Sequence, residues 1–236
     1  MKKLFNTSGS LPLSFLSLFL SVIMFTACSK NDNNDFPNQP AAGLMTVNLA
    51  IDKAPIAFTL SSNQVGGLLG YSNFSGGYVS IYPGSRELRS VDAGNGSTIT
   101  QSTNTYVDSN YYSAFLLGTA GNYRHVVVED KYREVVPVSG KAWVRYINAI
   151  PDTLSTPNVT IAGNTQAAAY GTVSPFVQVD AGAINTAIKS EAVDTTRSIT
   201  VSENKIYTIL FMGIPGATDP AKAVQIKFIE NGTASN

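Results

Sequence analysis

From Gly43 onward the apolar residues fall in short runs, each bounded by Gly, Pro, Asn, Asp or Ser. Trp143-Val144-Arg145-Tyr146-Ile147, Val159-Thr160-Ile161 and Ile199-Thr200-Val201 are examples. Nothing in this region sustains a helical period, whereas short β-branched and aromatic runs at regular spacing between turn residues are the mark of strands. The pattern predicts an all-β protein.

The pattern also repeats. Asn110-Tyr111-Tyr112-Ser113-Ala114-Phe115-Leu116-Leu117-Gly118-Thr119-Ala120-Gly121 aligns with Lys205-Ile206-Tyr207-Thr208-Ile209-Leu210-Phe211-Met212-Gly213-Ile214-Pro215-Gly216, Tyr112 against Tyr207. Tyr71-Ser72-Asn73-Phe74-Ser75 through Tyr82-Pro83-Gly84 aligns with Tyr170-Gly171-Thr172-Val173-Ser174 through Asp180-Ala181-Gly182. A repeat at this period means two copies of one unit. The expected organisation is a leader over 1–27, a tether over 28–42, and two tandem immunoglobulin-like β-sandwiches over 43–137 and 138–236. About 95 residues suit a sandwich of seven strands. Tyr112 and Tyr207 each open an apolar strand after a turn, where a tyrosine hydroxyl can latch onto nearby backbone; both are expected to be structural.

Composition narrows the function classes. Basic and acidic residues balance at 16 each, and loss of Lys2 and Lys3 with the leader leaves the chain near −2. Nucleic-acid binding rests on a basic face, and Arg86, Arg89, Arg124, Lys131 and Arg133 form no run, so no nucleic-acid partner is expected.

The N-terminus carries a different signal. Lys2 and Lys3 precede an apolar stretch, Leu11 to Phe25, then small residues and Cys28, the only cysteine. This reads as an export signal. The competing reading is an uncleaved membrane helix, against which stand the short run, Pro12 and several serines. Phe25-Thr26-Ala27-Cys28 resembles the lipobox of bacterial lipoproteins, with Phe25 where leucine is usual. The resemblance implies a thioether from Cys28 to diacylglycerol and a membrane as partner; several acyl chains, at about 0.8 kcal/mol per buried methylene, hold a protein firmly. The polar Ser29 to Asp35 and the following Phe36-Pro37-Asn38-Gln39-Pro40 read as a flexible tether. Its lysine and acidic residues resemble the surface-export signal of Bacteroidetes-type lipoproteins, implying an outer-membrane, surface-exposed location.

The second unit resembles the DUF4397 family in Trp143-Val144-Arg145-Tyr146-Ile147-Asn148-Ala149, Pro151-Asp152, Asn158 to Gly163, Tyr170 to Phe176, Ala181-Gly182 and Tyr207 to Gly213. The first unit is a divergent copy, with Val47-Asn48-Leu49-Ala50 at the Arg-x-x-Asn-Ala core. The resemblance implies a sandwich and an exported location, and nothing about catalysis.

Candidate chemistry is sparse. His125 is the only histidine, which excludes multi-histidine metal sites, and it lies in a valine-rich strand. No Gly-x-Ser-x-Gly elbow or phosphate loop occurs. Glu129 and Asp130 are adjacent, but neighbours on a strand point to opposite faces and share no proton. No metal or cofactor is expected. The tyrosines concentrate in the first unit. Val79 and Ile81 correspond to Val177 and Val179, and these alternate positions are expected to face the core, which makes Tyr78, Ser80 and Tyr82 an outward stripe. Tyrosine offers a flat apolar face and a polar tip, suited to a sugar ring or a protein surface; packing against the other unit is the alternative. Asp152-Thr153-Leu154 and Asp194-Thr195-Thr196 resemble the O-glycosylation sequon of Bacteroidetes exported proteins, with both threonines expected in loops. The expected function is a lipid-anchored, non-enzymatic binding or adhesion module for a glycan or protein. The alternative is a structural spacer, or an accessory lipoprotein of polysaccharide uptake; a hydrolase fits least.

Overall fold

The computed structural model describes residues 39–151 and 155–235. The leader, Cys28 and Thr153 lie outside the described residues. The first unit contributes β1 (Ala42–Ala50), β2 (Ile56–Leu60), β3 (Asn63–Leu69), β4 (Val79–Ile81), β5 (Gly84–Asp92), β6 (Thr98–Tyr106), β7 (Tyr111–Thr119) and β8 (Asn122–Glu129). After a connector with a 3₁₀ turn at Tyr132–Glu134 the pattern starts again. The second unit contributes β9 (Lys141–Ala149), β10 (Asn158–Ile161), β11 (Asn164–Ala167), β12 (Val177–Asp180), β13 (Gly182–Lys189), β14 (Asp194–Val201), β15 (Lys205–Met212) and β16 (Gln225–Thr233). The expected boundary between residues 137 and 138 falls in this connector.

Both units share one topology. The first pairs a sheet of order β4-β1-β7-β8 with one of order β3-β2-β5-β6, and the second repeats this as β12-β9-β15-β16 and β11-β10-β13-β14. In each, the opening strand runs parallel to the seventh, and the other strand pairs are antiparallel. The protein is therefore all-β, two tandem sandwiches of immunoglobulin-like architecture. Each has eight strands rather than the expected seven, and the short β3 and β11 fold back as hairpins on β2 and β10.

From Pro40 onward the chain is one compact unit. The reason lies in the burial of β1, every residue of which is buried. A sheet covered on both faces needs apolar or satisfied residues at every position rather than at alternate ones. Leu44, Ala114 and Leu116 face the first core, and Val144, Ile209 and Phe211 the second. The intervening residues Met45, Val47, Leu49, Phe115 and Leu117 instead meet Ile147, Ala149, Leu210, Met212 and Ile229 in a third apolar cluster between the units. The β1 and β9 sheets thus lie back to back as inner layers, and the β2 and β10 sheets form the outer ones. Fully burying a side chain the size of Leu117 or Leu210 stabilises by about 1.5–3 kcal/mol.

The repeated sequence motifs maintain this layout. Tyr71–Ser75 and Tyr170–Ser174 are equivalent turns against the opening strands: Ser72 and Gly171 donate backbone N–H to the carbonyls of Asn48 and Asn148. The Ser75 and Ser174 hydroxyls accept the N–H of Thr46 and Tyr146. Asn48 and Asn148 donate their amides to backbone carbonyls and accept the N–H two residues on. The Tyr112 hydroxyl accepts the Val107 N–H at 2.9 Å, and the Tyr207 hydroxyl the Ser202 N–H at 3.1 Å. Gly118 and Gly213 have φ of +132° and +115°, and a Cβ would overlap the Asn122 carbonyl oxygen at the first and that of Ala223, just before β16, at the second.

Candidate functional site

Where the inner sheets meet, one ion pair is buried. Arg145 on β9 and Asp130, just beyond β8, have side chains 3% and 0% exposed, with Nη1 and Oδ1 2.5 Å apart. Burial of two charges is tolerable only when their remaining hydrogen-bonding capacity is met, and here the partners can be followed. Arg145 Nη2 donates to the Ser113 hydroxyl at 2.7 Å, which itself donates to Asp130 Oδ2 at 2.7 Å. Arg145 Nε donates to the Thr208 hydroxyl at 3.0 Å, which donates to Asn231 Oδ1 at 2.7 Å. The Tyr78 hydroxyl donates to Asp130 Oδ2 and accepts from Tyr132 Oη and Asn231 Nδ2. The guanidinium lies 4.4 Å from the centre of the Phe176 ring, a favourable cation–π placement. Burial, and then the Asp130 charge beside it, pushes the Tyr78 hydroxyl well above its ordinary pKa; burial does the same to Tyr132. Both phenols stay protonated and donate.

Strand register makes the two halves of this cluster counterparts. Leu44 and Val144 lie opposite Tyr112 and Tyr207, so Met45 occupies in the first unit the place of Arg145 in the second. Glu129 and Glu230 lie opposite the same tyrosines, which makes Asn231 the counterpart of Asp130. Arg145 reaches across to Asp130, and Asn231 reaches across to the Met45 sulfur at 3.9 Å. One half is ionic and the other neutral. The sequence showed neither, since Met45 and Arg145 look unrelated until the copies are superposed. The aligned Glu129-Asp130 and Glu230-Asn231 pairs were the available signal.

Beside this cluster the connector roofs two adjoining cavities. The larger, about 520 Å³, is lined by Tyr111, Tyr132 and Val136 together with Asn110, Lys131 and Arg133. The second, about 390 Å³, is lined by Trp143, Phe176, Val173 and Pro175, with Glu129 and Glu134 among its polar residues. Tyr78, Tyr111 and Tyr132 pack ring against ring, with centroids 5.1–5.4 Å apart, and Tyr132 continues to Phe176 at 6.2 Å. Trp143 is held by its indole N–H, which donates to the Val136 carbonyl at 2.8 Å. Tyr111 and Val136 are 42% and 46% exposed. One exposed ring and three half-buried ones, with amides and charges of both signs alongside, suit recognition of a ligand with apolar and polar faces.

The expected tyrosine stripe is divided. Tyr78 does point away from the first core, but that face of its sheet is covered by the connector and the second unit, so it is a half-buried member of the polar cluster. Ser80 and Tyr82 lie beyond this cover, Tyr82 63% exposed. Val79, Ile81 and Val179 pack inward, while Val177 is 45% exposed. Thr195 is in β14, half-buried and opposite Ile188, and not in a loop. The turn is closed earlier, where the Ser190 hydroxyl accepts the N–H groups of Ala192 and Val193.

His125 faces the first core and bridges its two sheets. Nε2 is 2.8 Å from the Ser90 hydroxyl and Nδ1 2.9 Å from that of Ser102. Ser102 also accepts from Asn104, and of the two ring nitrogens of the neutral imidazole one donates to its serine hydroxyl while the other accepts. Burial lowers the His125 pKa to about 4. Ile188 and Ile226 hold the matching positions in the second core, so the histidine is a polar substitute for an apolar contact. Among the described residues no group of three or more His, Cys, Asp or Glu is placed to hold a metal ion.

No curated protein matches this chain. The model of the domain of unknown function DUF4397 matches residues 42–162 and 142–235, which together take in both sandwiches. The two-copy fold, its repeated turns and this match lead to one conclusion: the chain belongs to the DUF4397 family.

Proposed function

We propose that this protein is a lipid-anchored, non-catalytic binding module of the cell envelope, attached to the outer membrane through Cys28. Its ligand is a glycan or a surface protein, bound in the aromatic cleft beneath the connector. The observation that carries the binding reading is the set of Tyr111, Tyr132, Trp143 and Phe176 lining two adjoining cavities on a rigid frame. Rings fixed in advance lose little conformational freedom on binding, which favours recognition. The lipobox-like Phe25-Thr26-Ala27-Cys28 carries the anchoring.

The test is a glycan array and a surface-protein pull-down with the wild type beside Tyr111→Ala. Tyr111 is the exposed ring of the stack and lies outside the ionic cluster. Retention by the wild type and its loss in the variant is the expected result; equal retention by both removes the cleft from consideration. Anchoring is tested by fatty-acid labelling, which Cys28→Ser should abolish. A second reading, a spacer, is favoured by the apolar seam and buried ion pair that join the two units. It predicts no ligand retention by either protein.

A further inference from the structure

The two copies differ at a third place, on the open side of each sandwich. In the first unit, edge strands β3 and β4 leave a mouth of about 200 Å³ with a floor of Leu60, Val65, Val79 and Ile81. Arg86 on β5 also lines it. Register fixes the counterpart: Gly84 lies opposite Tyr106 and Gly182 opposite Val201, so Arg86 corresponds to Ile184. Ile184 is a member of the second core, 6% exposed. The first unit therefore holds a charge where its twin holds a core aliphatic group.

Arg86 is half-buried, and its Nε and Nη2 donate to the Pro83 carbonyl at 3.3 and 3.0 Å. This uses two of the five N–H groups of a guanidinium. No acidic residue lines the mouth, and no ion pair to Arg86 occurs among the described residues. A half-buried cation without a counter-charge is costly, and a carboxylate received on its remaining N–H fork offsets that cost. The rim adds Tyr82, an exposed ring, with Ser80, Asn63 and Gln64 as hydroxyl and amide groups. In the second unit Tyr82 is replaced by Asp180, paired to Lys141 at 2.6 Å, which would repel an acid.

We propose that this mouth binds the carboxylate of an acidic saccharide, the Arg86 guanidinium receiving the acid group and Tyr82 supporting the sugar ring. A cavity of this size takes one acid-bearing end of a chain, with the remainder lying across the rim. The site is separate from the connector cleft and stands or falls independently of it.

The test is calorimetric titration of the full-length protein with a galacturonic-acid trisaccharide and with its methyl ester, which keeps the sugar and removes the charge. The acid should bind, the ester about tenfold or more weakly, consistent with loss of a charge-assisted hydrogen-bonded pair. Arg86→Ile, which copies the second unit and so keeps the fold, should abolish binding of the acid. Tyr111→Ala should leave it unchanged, which separates this mouth from the connector cleft. No binding by the wild type, equal binding of acid and ester, or retention by Arg86→Ile overturns the proposal. A short peptide binding through its C-terminal carboxylate as tightly as the trisaccharide overturns the saccharide assignment.

Discussion

Removing the Asp130 carboxylate leaves Arg145 charged, with its side chain 3% exposed and no acidic partner. Asp130→Ala should therefore cost about 3–5 kcal/mol in urea-unfolding experiments, the usual penalty for breaking a buried pair. The double substitution Asp130→Asn/Arg145→Met reproduces the neutral half of the cluster, Asn231 with Met45, and should recover most of that loss. If the double variant is no more stable than Asp130→Ala, the ion pair is not the source of the penalty. His125 gives a pH signature. Its folded-state pKa of about 4 lies below the unfolded value near 6.5, so the unfolded chain binds the extra proton between them. Stability is full above pH 6.5 and falls as pH drops toward 4, by up to about 1.4 kcal/mol per pH unit. Melting temperatures across that range should show the slope in the wild type, and a flatter profile in His125→Gln.

At the scale of the element, the tyrosine latches tie the turns before β7 and β15 to the strands themselves. Tyr112→Phe and Tyr207→Phe each remove a hydroxyl that accepts a backbone N–H, and each should lower stability by about 1 kcal/mol in chemical denaturation. A loss in one unit only would show that the latches are not equivalent. These elements were the most legible part of the chain. Apolar runs ended by turn residues marked the strands, and the aligned Tyr112/Tyr207 and Gly118/Gly213 pairs marked equivalent positions. Legibility ended where a segment had no such contrast. The exposed, polar β11, Asn164–Ala167, has no apolar face to announce it. Thr195 was misplaced because a sequon reports a chemical pattern, whereas the adjacent turn depends on the Ser190 hydroxyl.

Across the whole molecule, the apolar seam should make the two sandwiches unfold together. Trp143, the only tryptophan, reports on the second unit, whereas far-ultraviolet circular dichroism reports on both. Their urea transitions should coincide in the wild type and separate in Leu210→Asp, which puts a charge into the seam. Separate transitions in the wild type would contradict the seam as a coupling element. This scale was the least legible in the sequence. Alternation along a strand shows that a side chain leaves one core, not what waits on the other side, so Tyr78 reads as exposed until the second unit is in place. The unequal halves of the polar cluster also determine which surfaces can associate. Two second units meeting through the same face would bring together two arginines and two asparagines, with no acid between them. Two first units would oppose a pair of aspartates across two methionines. Only the unlike pairing balances its charge, so discrimination against self is built into the seam. Separately produced segments 40–137 and 138–236 should thus prefer each other to themselves, and chains crowded side by side are protected from exchanging like halves.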